Sequence, residues 1–533
     1  MEKRQLTRSQ SRRGFLRTSA ILTGLSFVPR FLHAAPVGST VSILHTTDLH
    51  GNVLPTSNYD GVSDLGGFAR CAAQIRKWRK ENPHCLTVDA GDVYQGTQVG
   101  LSTRGRIMMD GFNLLNYDAW VPGNHDFDWG IECLNEAMDR SQSSVIVVNA
   151  KIGERQISQE SKGKGLDRAV TFVIKEVGGF KIALVGITTP GLPFWLHPDN
   201  LGDFNVIDPV DPVHQAMREA KAAGAEAIVF VGHMGSRQPF DDFANRVGTL
   251  AGAFPDAAVY IGGHTHRDLP SEMVKGLPYT QSAYFGINCG KVDLTFDPDT
   301  RTLLKVETGT TRMDDNIAPD PAVLSMAQKD LDAAETIQST KVGEFTTPLT
   351  TETSPEAPSE VERLIGTAIT VGLKERKIAV DGVLHGIFSE EIVPPGPVTV
   401  ATAWKIIPYE NYILTAELTA SQLRLILEEA LNSSRRSDRS LLGFRVRVKG
   451  KERERRIESM TLADGTPMDP NKRYLIAFNS FDAMSAGQRL MRLRAMLREP
   501  ECKSTQHPVQ TREALIAFIS EKGKVGVADL MWS

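Results

Sequence analysis

Cysteine is scarce and scattered in this chain of 533 residues: five stand at positions 71, 85, 133, 289 and 502, and no two form a Cys-x-x-Cys pair. That argues against a disulfide framework and leaves them to be read as buried thiols. Net charge is scarce too, at -4 for the whole chain, which argues neither for nor against a nucleic-acid partner. Beyond the first 35 residues no stretch approaches the roughly 20 apolar residues needed to span a membrane. The mature body is therefore expected to be soluble, without a transmembrane span.

Five short polar motifs each follow an apolar run of strand length. They are Asp48-Leu49-His50 after Val41 to Leu44, Gly91-Asp92 after Leu86 to Val88, and Gly123-Asn124-His125-Asp126-Phe127-Asp128 after Ala119 to Val121. Gly232-His233 follows Ala227 to Val231, and Gly263-His264-Thr265-His266 follows Ala258 to Ile261. Apolar runs separated by helical patterns read as buried strands of an α/β sheet. Ligands gather beyond the carboxyl ends of such strands, so five motifs at five strand ends converge on one crevice.

An amide, an imidazole and two carboxylates crowded into the turn at Asn124 to Asp128 are poor for folding, and a divalent cation satisfies them together. Two cations about 3.5–4 Å apart need a bridging carboxylate and an open edge for water and phosphate. Asp92 is read as the bridge, with Asp48, His50 and His266 completing one metal and Asn124, His233 and His264 the other. His45, His197 and His214 read as structural. His125 follows a ligand on the turn and points toward the open edge. Asp128, three residues on, can bond its ring and keep it protonated, ready to bind phosphoryl oxygens and donate to a leaving alkoxide. Asp126 supports the ligands from behind.

A chain this long exceeds one ordinary core and implies two domains. Ser11-Arg12-Arg13-Gly14-Phe15-Leu16, an apolar run from Ala20 to Val28 and the small Ala34-Ala35 resemble a twin-arginine export signal over residues 1–35, implying the export machinery as a partner and a periplasmic or secreted destination. Helices are expected at Leu65 to Arg79, Arg106 to Asn116 and Val213 to Ala223, with strands at Val145 to Val148 and Lys181 to Ile187. These make a domain over residues 40–312. A linker over 313–359 carries a helix from Pro321 to Gln338. The last domain, 360–527, has helices at Val361 to Leu373 and Ala420 to Leu431 and a Pro-rich loop at Pro394 to Pro397. Its strands are expected at Ile378 to Leu384, Tyr412 to Leu418, Arg445 to Val448, Arg456 to Leu462 and Tyr474 to Asn479, in one mixed sheet. The basic cluster Arg435 to Arg456 lacks interleaved aromatics and is broken by Glu452 and Glu454, so it reads as a solvated hairpin face and not as a site for a nucleic-acid polymer.

The five motifs together resemble the calcineurin-like metallophosphoesterase superfamily. More narrowly, Asp89-Ala90-Gly91-Asp92-x-x-Gln95-Gly96-Thr97, Gly66-Gly67-x-Ala69-Arg70 and the C-terminal segment resemble the bacterial 5'-nucleotidase family with its UDP-sugar hydrolase and cyclic-nucleotide members. The resemblance implies a four-layer α/β/β/α metallophosphoesterase domain followed by a smaller α/β domain that holds the nucleoside. It assigns the ligands as above and makes His125 and Asp128 the catalytic pair. The cofactors implied are two divalent ions drawn from manganese, zinc, cobalt, magnesium and iron, and the reaction is in-line attack by a metal-bound hydroxide on a small-molecule phosphoester. In the second domain Pro408-Tyr409-x-Asn411 matches one base-stacking position of the family. Asn479-Ser480-Phe481 enters the other, but Leu490 stands where the aromatic belongs, leaving only apolar contact for the second face. Asp381 to Gly386 offers His385 where the family carries an arginine. These departures predict broad phosphoester hydrolysis with nucleotides held weakly. The rival readings are a manganese-dependent thiosulfohydrolase of sulfur oxidation, which departs from the intact Gly-Asn-His-Asp seen here, and a non-catalytic surface binding protein on the same scaffold.

Overall fold

Each apolar run ends as a strand where its polar motif begins. These strands are β1 (Ser39–Thr46), β2 (Cys85–Asp89), β3 (Ala119–Trp120), β4 (Ala227–Gly232) and β5 (Val259–Gly262) in a computed structural model that describes residues 38–354, 356–432, 439–451 and 454–532. The expected export segment, residues 1–35, lies outside the described residues, as do positions 435–438 and 452–453 of the basic cluster.

The five strands belong to two six-stranded sheets. One runs Leu303–Arg312, Asn288–Phe296, β1, β2, β3, Ser144–Val145; the other runs Asp268–Val274, Leu277–Ser282, β5, β4, Phe180–Ile187, Phe172–Val177. Pairing among β1, β2 and β3, and between β4 and β5, is parallel. Alternation along the strands sets the layers, because successive side chains leave opposite faces. Val41, Ile43, Val88, Leu184, Val229 and Ile261 meet in one buried core between the sheets. On the far face of the first sheet Leu44 and Trp120 pack with Phe68, Ile75, Met108 and Phe112 of its covering helices. On the far face of the second, Val185, Ile228 and Phe230 meet Val213, Ala216 and Leu250. The result is α/β/β/α, as the resemblance implied.

The C-terminal part is built on a five-stranded mixed sheet, in the order Ser440–Leu442, Gly382–His385, Arg473–Asn479, Tyr412–Thr419, Thr505–Gln510. Helices Glu360–Glu375 and Thr511–Lys522 pack on one face through Leu364, Ile369, Leu515 and Ile519, and Ala420–Leu431 packs on the other through Leu423 and Leu427. Three expectations are corrected. Phe444–Lys449 and Arg456–Leu462 pair with each other as a separate two-stranded antiparallel sheet and, among the described residues, do not join the mixed sheet. The strand expected from Ile378 starts at Gly382, after Lys377 turns the chain with φ 62°. Part of the expected Pro-rich loop is a strand, Gly396–Thr399, which pairs with Lys341–Phe345 inside the stretch read as linker. Pro397 is tolerated there because Gly396–Thr399 is the edge strand of its sheet. Thr505–Gln510 and the helix Thr511–Lys522 were not expected. That helix is capped by Gln510 with Glu513, without the Ser, Thr or Asp that marks most helix starts.

Among the described residues no helix is long and apolar enough to cross a membrane.

Candidate metal centre

The loops leaving the strands are stitched together by backbone bonds. Asp48 N donates to Gly91 O at 2.8 Å and His50 N to Asp92 O at 2.9 Å, which carries the β1–β2 pairing on into the two motifs. Buried Asp126 ties in the third strand end. Its Oδ2 accepts from Asp92 N (2.9 Å) and Gly123 N (2.8 Å), and its Oδ1 accepts from Val93 N (2.8 Å). The turns come so close that a Cβ on Gly123 would lie 2.3 Å from Asp92 Oδ1, and one on Gly91 2.7 Å from Gly123 N. The second sheet is joined on through His264 N, which donates to both oxygens of Asp48 at 3.0 and 3.1 Å, and through His233 Nδ1, 2.7 Å from Ala90 O.

This stitching gathers donors into two groups that share one carboxylate. Asp48, His50, Asp92 and His266 offer ligand atoms within 4.8 Å of one another, and so do Asp92, His233 and His264. Asn124 Oδ1 lies 3.2 Å from His233 Nε2, beside the second group. The donor set fits divalent cations. His50 Nδ1 is 2.9 Å from Gln95 O and His233 Nδ1 2.7 Å from Ala90 O, and a carbonyl can only accept, so each Nδ1 carries a hydrogen. In the neutral ring each Nε2 is then a bare lone pair, aimed at Asp92 Oδ2 from 3.8 Å for His50 and 3.0 Å for His233. Lone pair facing carboxylate is repulsive until a cation or a proton lies between them. In the metal-free chain it is a proton at His233: burial opposes it, but Asp92 prevails and pushes the imidazole up to about 9. His50 and His264, where burial dominates, fall to about 4 and about 3.

Five of the seven candidate donors, Asp48, His50, Asp92, His264 and His266, have φ between 47° and 72°. Side chains rarely adopt this left-handed backbone, and strain of this kind persists at functional sites because the surroundings over-determine it.

His125 belongs to neither donor group. Its Nδ1 lies 2.7 Å from Asp128 Oδ2, and its backbone N donates to Asp92 Oδ1 at 2.7 Å. Burial alone would lower its pKa, but Asp128 and Asp92 raise it to about 10. Asn200 Nδ2 donates to Asp128 O at 2.8 Å and steadies that turn. Of the three histidines read as structural, His45 is wholly buried, and burial pushes it down to about 3. His197 caps the short helix Pro198–Leu201, and His214 is exposed on the helix Val210–Ala222.

The C-terminal part meets the centre directly. The Tyr409 ring lies parallel to His125, centroids 6.2 Å apart and planes within 15°. Next to it, buried Glu410 accepts from Gln95 Nε2 and from Arg512, whose guanidinium sits 3.4 Å over Trp404. Gln95 thus holds His50 by its carbonyl and the second domain by its side chain. Asn411 is buried beside Tyr409, and its Nδ2 has no hydrogen-bond partner among the described residues. Phe481 is half-buried on a short helix, Ser480–Ala483. His385 is fully buried, its Nδ1 2.5 Å from Gly386 O and its pKa lowered by burial to about 4. It is therefore a neutral side chain and cannot stand in for an arginine toward phosphate.

Leu490 requires a correction. It is 2% exposed and part of the C-terminal core with Leu493 and Cys502, so it offers no face to a base. Its loop turns inward because Ser485, Ala486, Gly487 and Gln488 all have φ between 46° and 89°, and Gly487 N reaches Phe194 O at 3.4 Å. The second ring near Tyr409 is instead Phe388, edge-to-face at 5.7 Å and 61°. Its only sequence signal was an aromatic three residues after His385.

This fold, with two donor groups sharing a carboxylate, is that of the metallophosphoesterase class. Residues 41–268 match the calcineurin-like phosphoesterase model and residues 339–493 the 5'-nucleotidase C-terminal domain model. The chain belongs to the 5'-nucleotidase family of metallophosphoesterases. It is 24% identical over 514 residues to an endonuclease of Bacillus subtilis, covering 91% of this chain and 41% of that protein. It is 29% identical over 333 residues to a snake-venom 5'-nucleotidase of Gloydius brevicauda, covering 58% and 54%. The chain thus spans about half the length of these curated relatives. Its fold is shared with a 5'-nucleotidase precursor from Thermus thermophilus (TM-score 0.68, 22% identity, covering 91% of this chain and 97% of the other). It is also shared with the sulfate thiohydrolase SoxB of Thermus thermophilus (TM-score 0.62, 18% identity, 92% and 96%).

Proposed function

We propose that this chain is an exported phosphoesterase that holds two divalent cations and cleaves phosphate esters of nucleotides and related small molecules. The observation that carries the proposal is Asp92, common to both donor groups and bonded to the backbone of His125. Asp48, His50 and His266 would complete one site with Asp92, and Asn124, His233 and His264 the other. When bound, such a pair of cations activates water and neutralises phosphoryl oxygens. His125, protonated and paired with Asp128, adds a charged donor beside the donor groups for charge developing on the phosphoryl group or the leaving oxygen. Tyr409, beside His125, and Phe388, beside Tyr409, supply aromatic surface for the base of a nucleoside leaving group.

A thiohydrolase reading draws on the shared fold with SoxB, but that likeness is one of fold alone. The phosphoester reading is favoured by the complete Gly123-Asn124-His125-Asp126 turn and by the His125–Asp128 contact. A hydrolysis screen of the mature protein over 5'-nucleotides, UDP-sugars, cyclic nucleotides, an aryl phosphate and a thiosulfonate ester separates the two. Turnover of phosphoesters is expected. Turnover of the thiosulfonate alone would establish the rival, and metal binding without turnover of any of them would point to a binding protein.

A further inference from the structure

Each donor imidazole needs its second nitrogen held in place, since that contact fixes the ring's tautomer and orientation. His50 and His233 use backbone carbonyls. His266 Nδ1 instead meets the hydroxyl of Tyr59 at 2.8 Å. Tyr59 is 63% exposed, yet it is not loosely placed. Its loop is closed by the Thr56–Leu65 bridge and by Asn58 Oδ1, which accepts from Asp60 N and Val62 N at 3.1 and 2.8 Å. Its ring stacks on Tyr284 at 4.4 Å and 19°, and its backbone N donates to Tyr284 Oη at 3.0 Å. The next residue, Phe285, donates its N to Asp48 O at 2.7 Å, so Tyr59 is braced against the segment that also holds Asp48.

From this geometry we infer that Tyr59 is the positioning residue for His266, and that its hydroxyl sets how tightly the Asp48–His50–Asp92–His266 site holds its cation. The inference rests on the two-metal reading above. A hydroxyl, unlike a carbonyl, can accept or donate. Without metal, His266 Nε2 lies 3.3 Å from Asp48 Oδ1 and 3.1 Å from His50 Nε2, both acceptors, so it carries the hydrogen and Nδ1 accepts from Tyr59. For Nε2 to ligate a cation the hydrogen must be on Nδ1, and Tyr59 then accepts it. The same hydroxyl holds the ring in both states, so His266 changes tautomer without turning. His266, with a side chain 24% exposed against 6% for His50, is held less by burial than His50 is.

Tyr59→Phe removes the hydroxyl and keeps the ring stacked on Tyr284. Chelator-stripped mature protein, titrated calorimetrically with Mn2+ and in parallel with Zn2+, is expected to bind two ions in the wild type. In Tyr59→Phe one affinity should fall by about tenfold or more, as is usual for loss of such a partner, while the other is unchanged. The melting temperature of the stripped variant should match the wild type, which a merely structural role would not predict. In a His266→Ala background, Tyr59→Phe should have no further effect on affinity. Two unchanged affinities in Tyr59→Phe, or a full additional loss on top of His266→Ala, would overturn the role of Tyr59. Fewer than two ions in the wild type with either metal would overturn the two-metal reading itself.

Discussion

Replacing His125 by alanine separates transition-state stabilisation from metal binding, because the structure gives this residue two independent attachments. The backbone N of residue 125 donates to Asp92 Oδ1 at 2.7 Å, and alanine keeps that bond. Only the imidazole goes, with its 2.7 Å contact to Asp128, and it is part of neither donor group. Held protonated by Asp128 and Asp92, with a pKa raised to about 10, it acts as a charged donor. Removing one such donor typically lowers kcat by about 10²–10³, or about 3–4 kcal/mol of barrier. Asp128→Asn keeps an acceptor but removes the charge that sustains the imidazolium, and about a tenfold loss is expected. Since Asp128 acts through His125, the double variant should be no slower than His125→Ala alone. Steady-state kinetics on an aryl phosphate, with metal content measured by plasma mass spectrometry on the same samples, test this. A lost metal in His125→Ala would make the residue a ligand, and additive losses in the double variant would show that Asp128 works by another route.

Asp92→Asn, at the carboxylate common to both groups, should weaken both cations by at least about 10–100-fold, the loss usual even for outer partners of a metal site; a full complement of two metals after dialysis would remove it as the bridge. Tyr409→Ala should raise KM for nucleotides about fivefold, the low end for one lost base stack, with little change on a simple aryl phosphate, and Phe388→Ala should do the same. Equal changes on both substrates would show that these rings shape the site without contacting a base. Changing Arg12 and Arg13 together to Lys should strand the protein in the cytoplasm, folded and metallated; unimpaired export, followed by fractionation, would refute the twin-arginine reading.

The N-terminal half was legible because its constraints are local. A strand buried on both faces must be apolar throughout, and its abrupt end at Asp48, Asp92, Asn124, His233 or His264 is visible without knowing what lies across the crevice. The substrate side was less so because its contacts are not local. Glu410 reads as an ordinary exposed acid until Gln95 and Arg512, each about a hundred or more residues away in sequence, enclose it. Leu490 is expected at the base only from its position in the motif, and the left-handed run from Ser485 to Gln488 that turns it inward has no sequence marker except Gly487. Phe388 was hidden for the same reason: its neighbour Tyr409 comes from another loop of the domain.

Backbone strain links the legible half to its chemistry. Five donors in the left-handed region cost about 1 kcal/mol or more each, and the chain accepts this at Asp48, His50, Asp92, His264 and His266 only because other bonds leave no alternative. Those bonds run from Asp126 to three backbone amides, from Asp48 to His264 N, and from loop to loop between Asp48 and Gly91 and between His50 and Asp92. None of them requires a metal. The donors are therefore held near one another before any cation arrives, and what a cation would add is relief of the repulsion between His50 Nε2 and the shared carboxylate of Asp92, taking at His233 the place of the proton. Preorganisation of this kind favours the first cation and the second alike, which is what a centre with one common ligand requires if it is to fill both positions at low metal concentration.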